Sequence, residues 1–160
     1  MLNQSKAFSY LNFFLILSFT TLLLRIILNI HIDLPLHFDE AQYWDWSQNL
    51  DWGYFSKPPL LAFLIRVVTE LCGNGENCIR SLSPFLHFLT SLIIFYSVRL
   101  LTKSFKKALL GSFLYLLMPG ISFSSFLIST DVILLLFWTL SLCFLLEIKK
   151  RPTNTNFIIL

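Results

Sequence analysis

"PPLLAFLIRVVTELC", residues 58–72, decides how this 160-residue chain is arranged, because every later segment changes sides depending on whether these 15 residues cross a membrane or lie on one. Three features argue for the surface. Fifteen helical residues rise only about 22 Å, short of the roughly 30 Å of hydrocarbon in a bilayer. The stretch carries Arg66 and Glu70, and charges at membrane depth are expensive. Crossing here would also carry both downstream lysine clusters outside, against the tendency of Lys and Arg to gather on the inner side. Leu60, Leu64, Val67, Val68 and Leu71 recur at helical spacing and share one face. The expectation is an amphipathic helix over about 59–72 lying on the outer membrane surface, with a short tilted span as the alternative.

The chain around that helix is greasy. It is 56% hydrophobic and 13% charged, with 17 phenylalanines and a mean hydropathy of +0.71, values that mark a membrane protein. Apolar runs at 8–30, 82–101, 108–128 and 132–148 are long enough to read as spans, the last being the shortest. A cleaved signal peptide is the alternative for the first run, but 23 residues without a small-residue cleavage site read as a retained helix.

Lys103, Lys106 and Lys107 follow the second run, and Lys149, Lys150 and Arg151 follow the fourth. Both clusters are therefore expected in the cytoplasm, which places the N-terminus with Lys6 inside and residues 31–81 and 129–131 outside. Eight Lys/Arg then lie inside (Lys6, Arg99 and the six above) and four outside (Arg25, Lys57, Arg66, Arg80), while eight of the nine acids fall outside. A net charge of +3 distributed this way is a topology signal and not a footprint for nucleic acid.

The fold class that follows is all-α: a polytopic transmembrane helical bundle, one membrane domain over 1–160, with interfacial helices in the first outer loop. Pro119 and Gly120 interrupt the third run and predict a kink. After "KKRPTNTN" the chain resumes with "FIIL" at 157–160, which reads as the start of another span, so the sequence is expected to be incomplete. Cys72 and Cys78 enclose "GNGEN" in the outer loop; the spacing allows a disulfide there without establishing one. It is poor spacing for zinc. Cys143, within a run, reads as a small apolar residue.

The polar chemistry gathers in "HFDEAQYWDWSQNLDWGYFSKPPL", residues 37–60, with four carboxylates and three tryptophans. Asp39 and Glu40 suit a helix N-terminus, and Tyr43, Trp44 and Trp46 suit the aromatic belt of a membrane interface. The other reading is a site, since a carboxylate at the lip of a bundle has a tunable pKa and can accept a proton from a hydroxyl. Lys57, held by Pro58 and Pro59, is a cation placed to bind a phosphate, and Arg80 at the mouth of the second run can add a bidentate contact. Anchoring to lipid headgroups is the alternative for both. Asp131 opens the last run on the same side as Asp39, either as a helix cap with Ser129 or as part of the same pocket. His31 and His37 lack paired spacing for a metal, and His87, inside a run, is expected to bond a neighbouring helix.

In order, "FDEAQYW", "GYFSKPPLLAF", "CIRSLSPFL" and "STDVILLLFW" resemble the N-terminal part of bacterial membrane glycosyltransferases of the GT-C superfamily, the group containing protein O-mannosyltransferases, aminoarabinose transferases of lipid A and Rgt-type lipopolysaccharide transferases. The resemblance covers nearly the whole chain. It implies transfer of a sugar from a polyprenyl-phosphate carrier to a lipid, glycan or protein acceptor at the outer face, usually with inversion, in a bacterial inner membrane with periplasmic chemistry. In members acting on hydroxyl acceptors the Asp of the Asp-Glu pair is the general base, a role that carries over to Asp39 with Glu40 beside it. The residue before Pro-Pro faces the carrier phosphate, which carries over to Lys57, and the corresponding Arg and Asp are Arg80 and Asp131. No cofactor is implied. Aminoarabinose transferases have a Glu before Lys-Pro-Pro that can bind metal; Ser56 stands there instead, so no metal site is expected and dependence on a divalent metal stays open. Such enzymes also run to several hundred residues.

Two rival readings belong to other classes. A transporter component would place carboxylates along an ion path, yet from residue 82 onward the runs hold only Asp131 and Glu147, both at run ends. A truncated remnant would bind polyprenyl phosphate without turnover.

Overall fold

Hydrocarbon offers the backbone no hydrogen bonds, so a chain of this composition satisfies its peptide groups within helices. The computed structural model describes residues 4–32 and 35–150. Among them are seven helices and no strand: α1 (Gln4–His31), α2 (Phe38–Gln48), α3 (Leu60–Cys72), α4 (Glu76–Thr102), α5 (Phe105–Leu117), α6 (Pro119–Ser124) and α7 (Thr130–Lys150). Arg151 and the "FIIL" segment lie outside the described residues. Helices α1, α4 and α7 are long and apolar enough to cross a membrane, each rising more than about 30 Å.

The run at 108–128 is not one helix. It divides at Met118, whose ψ of 129° is extended, into a 13-residue α5 and a 6-residue α6. Pro119 is the cause: its ring disfavours helical backbone in the residue before it and it carries no N–H. The expected kink is thus a break. Side chains from α1 and α4 reach carbonyls and hydroxyls around it. Arg25 donates to the Leu116 carbonyl, Asn29 to the Ser125 carbonyl (3.1 Å) and Ser83 to the Ser124 carbonyl (2.6 Å). His87 bonds neighbouring helices, as expected for a histidine at this depth, through the Tyr115 hydroxyl (2.8 Å) and Ser124 Oγ (2.7 Å). In lipid these bonds do what water does elsewhere.

Helix α4 is the central post, packing against α1, α3, α5 and α7. Its contact with α5 is built from small residues, since Ala108 and Ser112 are fully buried and Gly111 lies so near Val98 that a Cβ there would stand 3.3 Å from Val98 Cγ2. Small side chains allow this approach. Phe14 of α1 stacks on Phe95 of α4, centroids 4.1 Å apart, near the Lys103 end of the bundle. The other end is closed by a larger core in which Tyr43, Leu61, Ile65, Ile79, Leu82, Leu86, Ile128 and Val132 join α2, α3, α4 and α7.

Helix α3 carries two apolar stripes rather than one. Leu61, Ile65 and Thr69, at i, i+4 and i+8, are buried, whereas Leu60, Val67 and Leu71 from the expected face point outward, with Leu71 83% exposed. Leu64 and Val68 lie between, packed on the core edge. Gly73, at φ 92°, ends the helix in a left-handed conformation suited to glycine. Beyond it Cys72 and Cys78 are joined in a disulfide, Cα atoms 5.9 Å apart, tying α3 to the first turn of α4. Cys143 is a buried free thiol in α7.

The aromatics of α2 turn partly inward. Tyr43 is buried in the core, Trp44 Nε1 donates to Asn74 Oδ1 (3.2 Å) and Trp46 stacks on Tyr54, centroids 4.6 Å apart. The rings that stand out are Phe38, Trp52 and Phe55. The core around Tyr43, Asn74 after α3 and Tyr54 before it draw the first three inward, which spacing along α2 alone does not reveal.

Candidate active site

The site grows from the entry into α2. His37 is extended and caps the helix, and Glu40, three residues on, accepts its N–H at 3.0 Å through Oε2, the reciprocal half of a capping box. Glu40 also reaches two distant segments. Its Oε1 accepts the Ile128 N–H (2.9 Å) in the turn before α7, and both oxygens face Arg80 of α4, with Nε 3.2 Å from each and NH2 2.7 Å from Oε2. Arg80 NH2 donates to the Pro35 carbonyl as well (2.9 Å). Glu40 is 1% exposed and Arg80 4%. Two opposite charges taken from water hold each other, because either one left alone there would be strongly unfavourable. The residues anticipated as a catalytic partner and a phosphate ligand are therefore paired with one another.

Asp39 precedes Glu40 and so lies about 100° round the helix from it, half-buried. One turn on, at i+4, is Tyr43, buried in the core with Val132 and Ile133 of α7. Its pKa is raised above 10.0 first by burial, then by the negative charges of Asp39 and Asp131, with the Thr130 side chain acting in the opposite direction. The charges of Asp39 and Asp131 thus both bear on one phenol. Asp131 itself is exposed in the first turn of α7, where the helix dipole favours a carboxylate. Sequence reading offered the membrane belt for Tyr43 as one of two alternatives and did not single out Thr130; the i, i+4 spacing of Asp39 and Tyr43 was the available signal for the first.

Lys57 sits on the loop between α2 and α3. Tyr54 pins that loop: its hydroxyl reaches the Trp46 and Asn49 carbonyls (2.9 and 3.2 Å) and accepts the Asp51 N–H (3.2 Å), while its own N–H donates to the Lys57 carbonyl (3.3 Å). The Lys57 side chain is exposed. Directly after it, Pro58, Leu60 and Leu61 join Thr130 and Ile133 around an apolar pocket of about 120 Å³ between α3 and α7. A second apolar cavity, about 350 Å³, is bordered by Arg80 and lies among Asn29, Ile32, Phe123, Phe126 and Leu127. Among the described residues no three of His, Cys, Asp or Glu form a group able to hold a metal ion. The arrangement combines proton acceptors and a neutral phenol with apolar walls, the surroundings that a charged headgroup on a greasy tail requires, while the Lys57 side chain stands exposed on the loop that leads into the pocket.

Comparison with known proteins places this chain in a family. The model of the dolichyl-phosphate-mannose-protein mannosyltransferase family matches residues 56–160, a segment that includes Lys57, Arg80 and Asp131 and begins after Asp39 and Glu40. Lipid A galacturonosyltransferase RgtD of Rhizobium johnstonii is 40% identical over 100 residues, covering 62% of this chain and 21% of that protein. The chain thus spans about a fifth of the length of that curated relative. No solved structure shows a significant match. With its family segment running from the Lys-Pro-Pro loop to the end of the sequence, the chain belongs to the dolichyl-phosphate-mannose-protein mannosyltransferase family of membrane glycosyltransferases.

Proposed function

We propose that this chain is the N-terminal part of a glycosyltransferase that moves a sugar from a polyprenyl-phosphate carrier to a lipid, glycan or protein acceptor at the outer face of a bacterial inner membrane. The observation that carries the reading is the packing of Tyr43, one helical turn after Asp39, in one core with Leu61 and with Val132 and Ile133, the residues that follow Asp131, where Leu61 and Ile133 also line the apolar pocket that follows Lys57. Asp39 is the general base, taking the proton from the acceptor hydroxyl as that oxygen attacks the anomeric carbon. Lys57 offsets the charge that grows on the leaving phosphate. Asp131 orients acceptor or sugar hydroxyls from the opposite side, and Tyr43, kept neutral, donates a hydrogen bond between the two carboxylates. Glu40 and Arg80 act as a strut that sets the direction of Asp39.

The disulfide at this end of the bundle supports an oxidising, extracytoplasmic location for the site, and the lysines gathered at the opposite end support a cytoplasmic placement for that end. The name of the Rhizobium relative favours a lipid-linked glycan as acceptor, with galacturonic acid as one candidate sugar.

The test uses the full-length protein in proteoliposomes with a polyprenyl-phosphate-linked sugar donor. Asp39→Asn is expected to lower kcat by about 10² to 10⁴, the range for loss of a general base, with donor binding retained. Unchanged turnover in that variant would overturn the assignment.

A further inference from the structure

At the end of the bundle opposite the candidate site, α4 and α7 finish side by side. Their last turns enclose a cleft of about 270 Å³ whose walls are Leu100, Leu101 and Leu146 and whose remaining lining residues are Lys103, Lys149 and Lys150. Because both helices finish at this cleft they run in the same direction, and the partial negative charges of two C-termini account for cations close by. Lys149 and Lys150 lie in the last turn of α7, where that account suffices.

Lys103 asks for more. It stands just past the end of α4 at φ 53°, ψ 19°, the one non-glycine residue with positive φ among the described residues. This position at a helix end is usually taken by glycine, since a Cβ is unfavourable there. A lysine held in that conformation at the cleft points to a use for its charge. Lys106 and Lys107 provide the contrast. They lie in the first turn of α5, against its dipole, and do not line the cleft. The carboxylate at this end of α7, Glu147, is not among the lining residues and is hydrogen-bonded by the Tyr96 hydroxyl.

We propose that this cleft binds an anionic glycerophospholipid, its phosphate drawn by Lys103, Lys149 and Lys150 and an acyl chain lying along Leu100, Leu101 and Leu146. The pairing of chemistries selects the occupant. Three cations without an intervening acid call for an anion, while walls made of leucine add nothing to the binding of free phosphate and suit a hydrocarbon tail. Leu101 is 62% exposed, so the cleft is open on a surface that lipid can reach.

Native mass spectrometry of the full-length protein, released from nanodiscs of equal phosphatidylglycerol and phosphatidylcholine, tests this. The expected result is preferential retention of one phosphatidylglycerol, cut at least tenfold in the triple variant Lys103→Gln, Lys149→Gln, Lys150→Gln and unchanged in Lys106→Gln, Lys107→Gln. Equal loss in both variants would mean diffuse attraction to the membrane surface and overturn the site. Retention unchanged in the triple variant would overturn it too, as would displacement of the lipid by millimolar inorganic phosphate, which would show that the phosphate alone is recognised. Should the triple variant fold poorly, Lys103→Gly removes a cation while relieving the left-handed backbone, and it is expected to lower retention severalfold without lowering the melting temperature.

Discussion

Arg80 NH2 and Glu40 Oε2 stand 2.7 Å apart across forty residues of sequence, at almost complete burial of both side chains. The pair fastens the entry of α2 to α4, and through the Ile128 N–H to the turn before α7. Asp39 rides on the same turn of helix, so the strut and the candidate base are adjacent by construction.

Breaking this pair on one side leaves a buried charge uncompensated. Glu40→Ala or Arg80→Ala is expected to destabilise the fold by about 3–5 kcal/mol, while the double variant Glu40→Ala, Arg80→Ala loses less than the sum of the two single effects. Thermal melts in detergent, arranged as a double-mutant cycle, check the coupling. An additive outcome would mean that the two side chains do not support each other.

The Tyr43 phenol is held neutral by burial and by the carboxylates beside it, so its folded-state pKa exceeds the ordinary 10.0. The sign follows directly. The folded form binds more protons than the unfolded form above about pH 10, so this contribution to stability is full below pH 10 and is lost as pH rises through the raised value. Ultraviolet titration, taken as the difference from Tyr43→Phe, should show this phenol ionising late and moving back toward 10 in Asp39→Asn, and Tyr43→Phe should remove the corresponding alkaline slope in stability.

Reducing the Cys72–Cys78 bond opens a short loop between α3 and α4. Removing the closure is expected to cost about 2 kcal/mol on the chain-entropy account. Cys72→Ser, Cys78→Ser should therefore melt several degrees lower, with the change confined to protection of α3 in hydrogen exchange. Thiol labelling with a membrane-impermeant reagent after reduction also reports which side of the membrane this end faces.

Gly111 sets the distance between α4 and α5. An added Cβ would meet Val98 Cγ2 at 3.3 Å, a gap that a side-chain shift of a few tenths of an ångström relieves, so Gly111→Ala should be close to neutral. Gly111→Leu has no such escape and is expected to cost about 1–3 kcal/mol through overpacking, read as a lower melting temperature in the same detergent.

Much of the fold was legible in the residues because its causes are local. Apolar runs of sufficient length become membrane-length helices wherever the backbone must satisfy itself, and Pro119 acts on Met118 through contact between neighbours, although the spacing did not say that the kink would be a full break. Whether Cys72 and Cys78 pair depended on the approach of α3 to α4. Which stripe of α3 faces inward was equally open, since both stripes are apolar and only the neighbours α2 and α4 decide between them.

For the site, residue order and local helix signals say which charges exist and at which end of the helices they stand: Asp39 and Glu40 at the start of α2, Lys57 before its prolines, Arg80 and Asp131 near the starts of α4 and α7. Packing of the helices selects which of them neutralise one another. Glu40 meets Arg80 and Ile128, 40 and 88 residues away, and Tyr43 sits near both Asp39 and Asp131. Such pairings are settled by burial, because a charge excluded from water takes whatever partner the packed helices bring within reach, and that reach is a property of the bundle and not of the spacing along the chain.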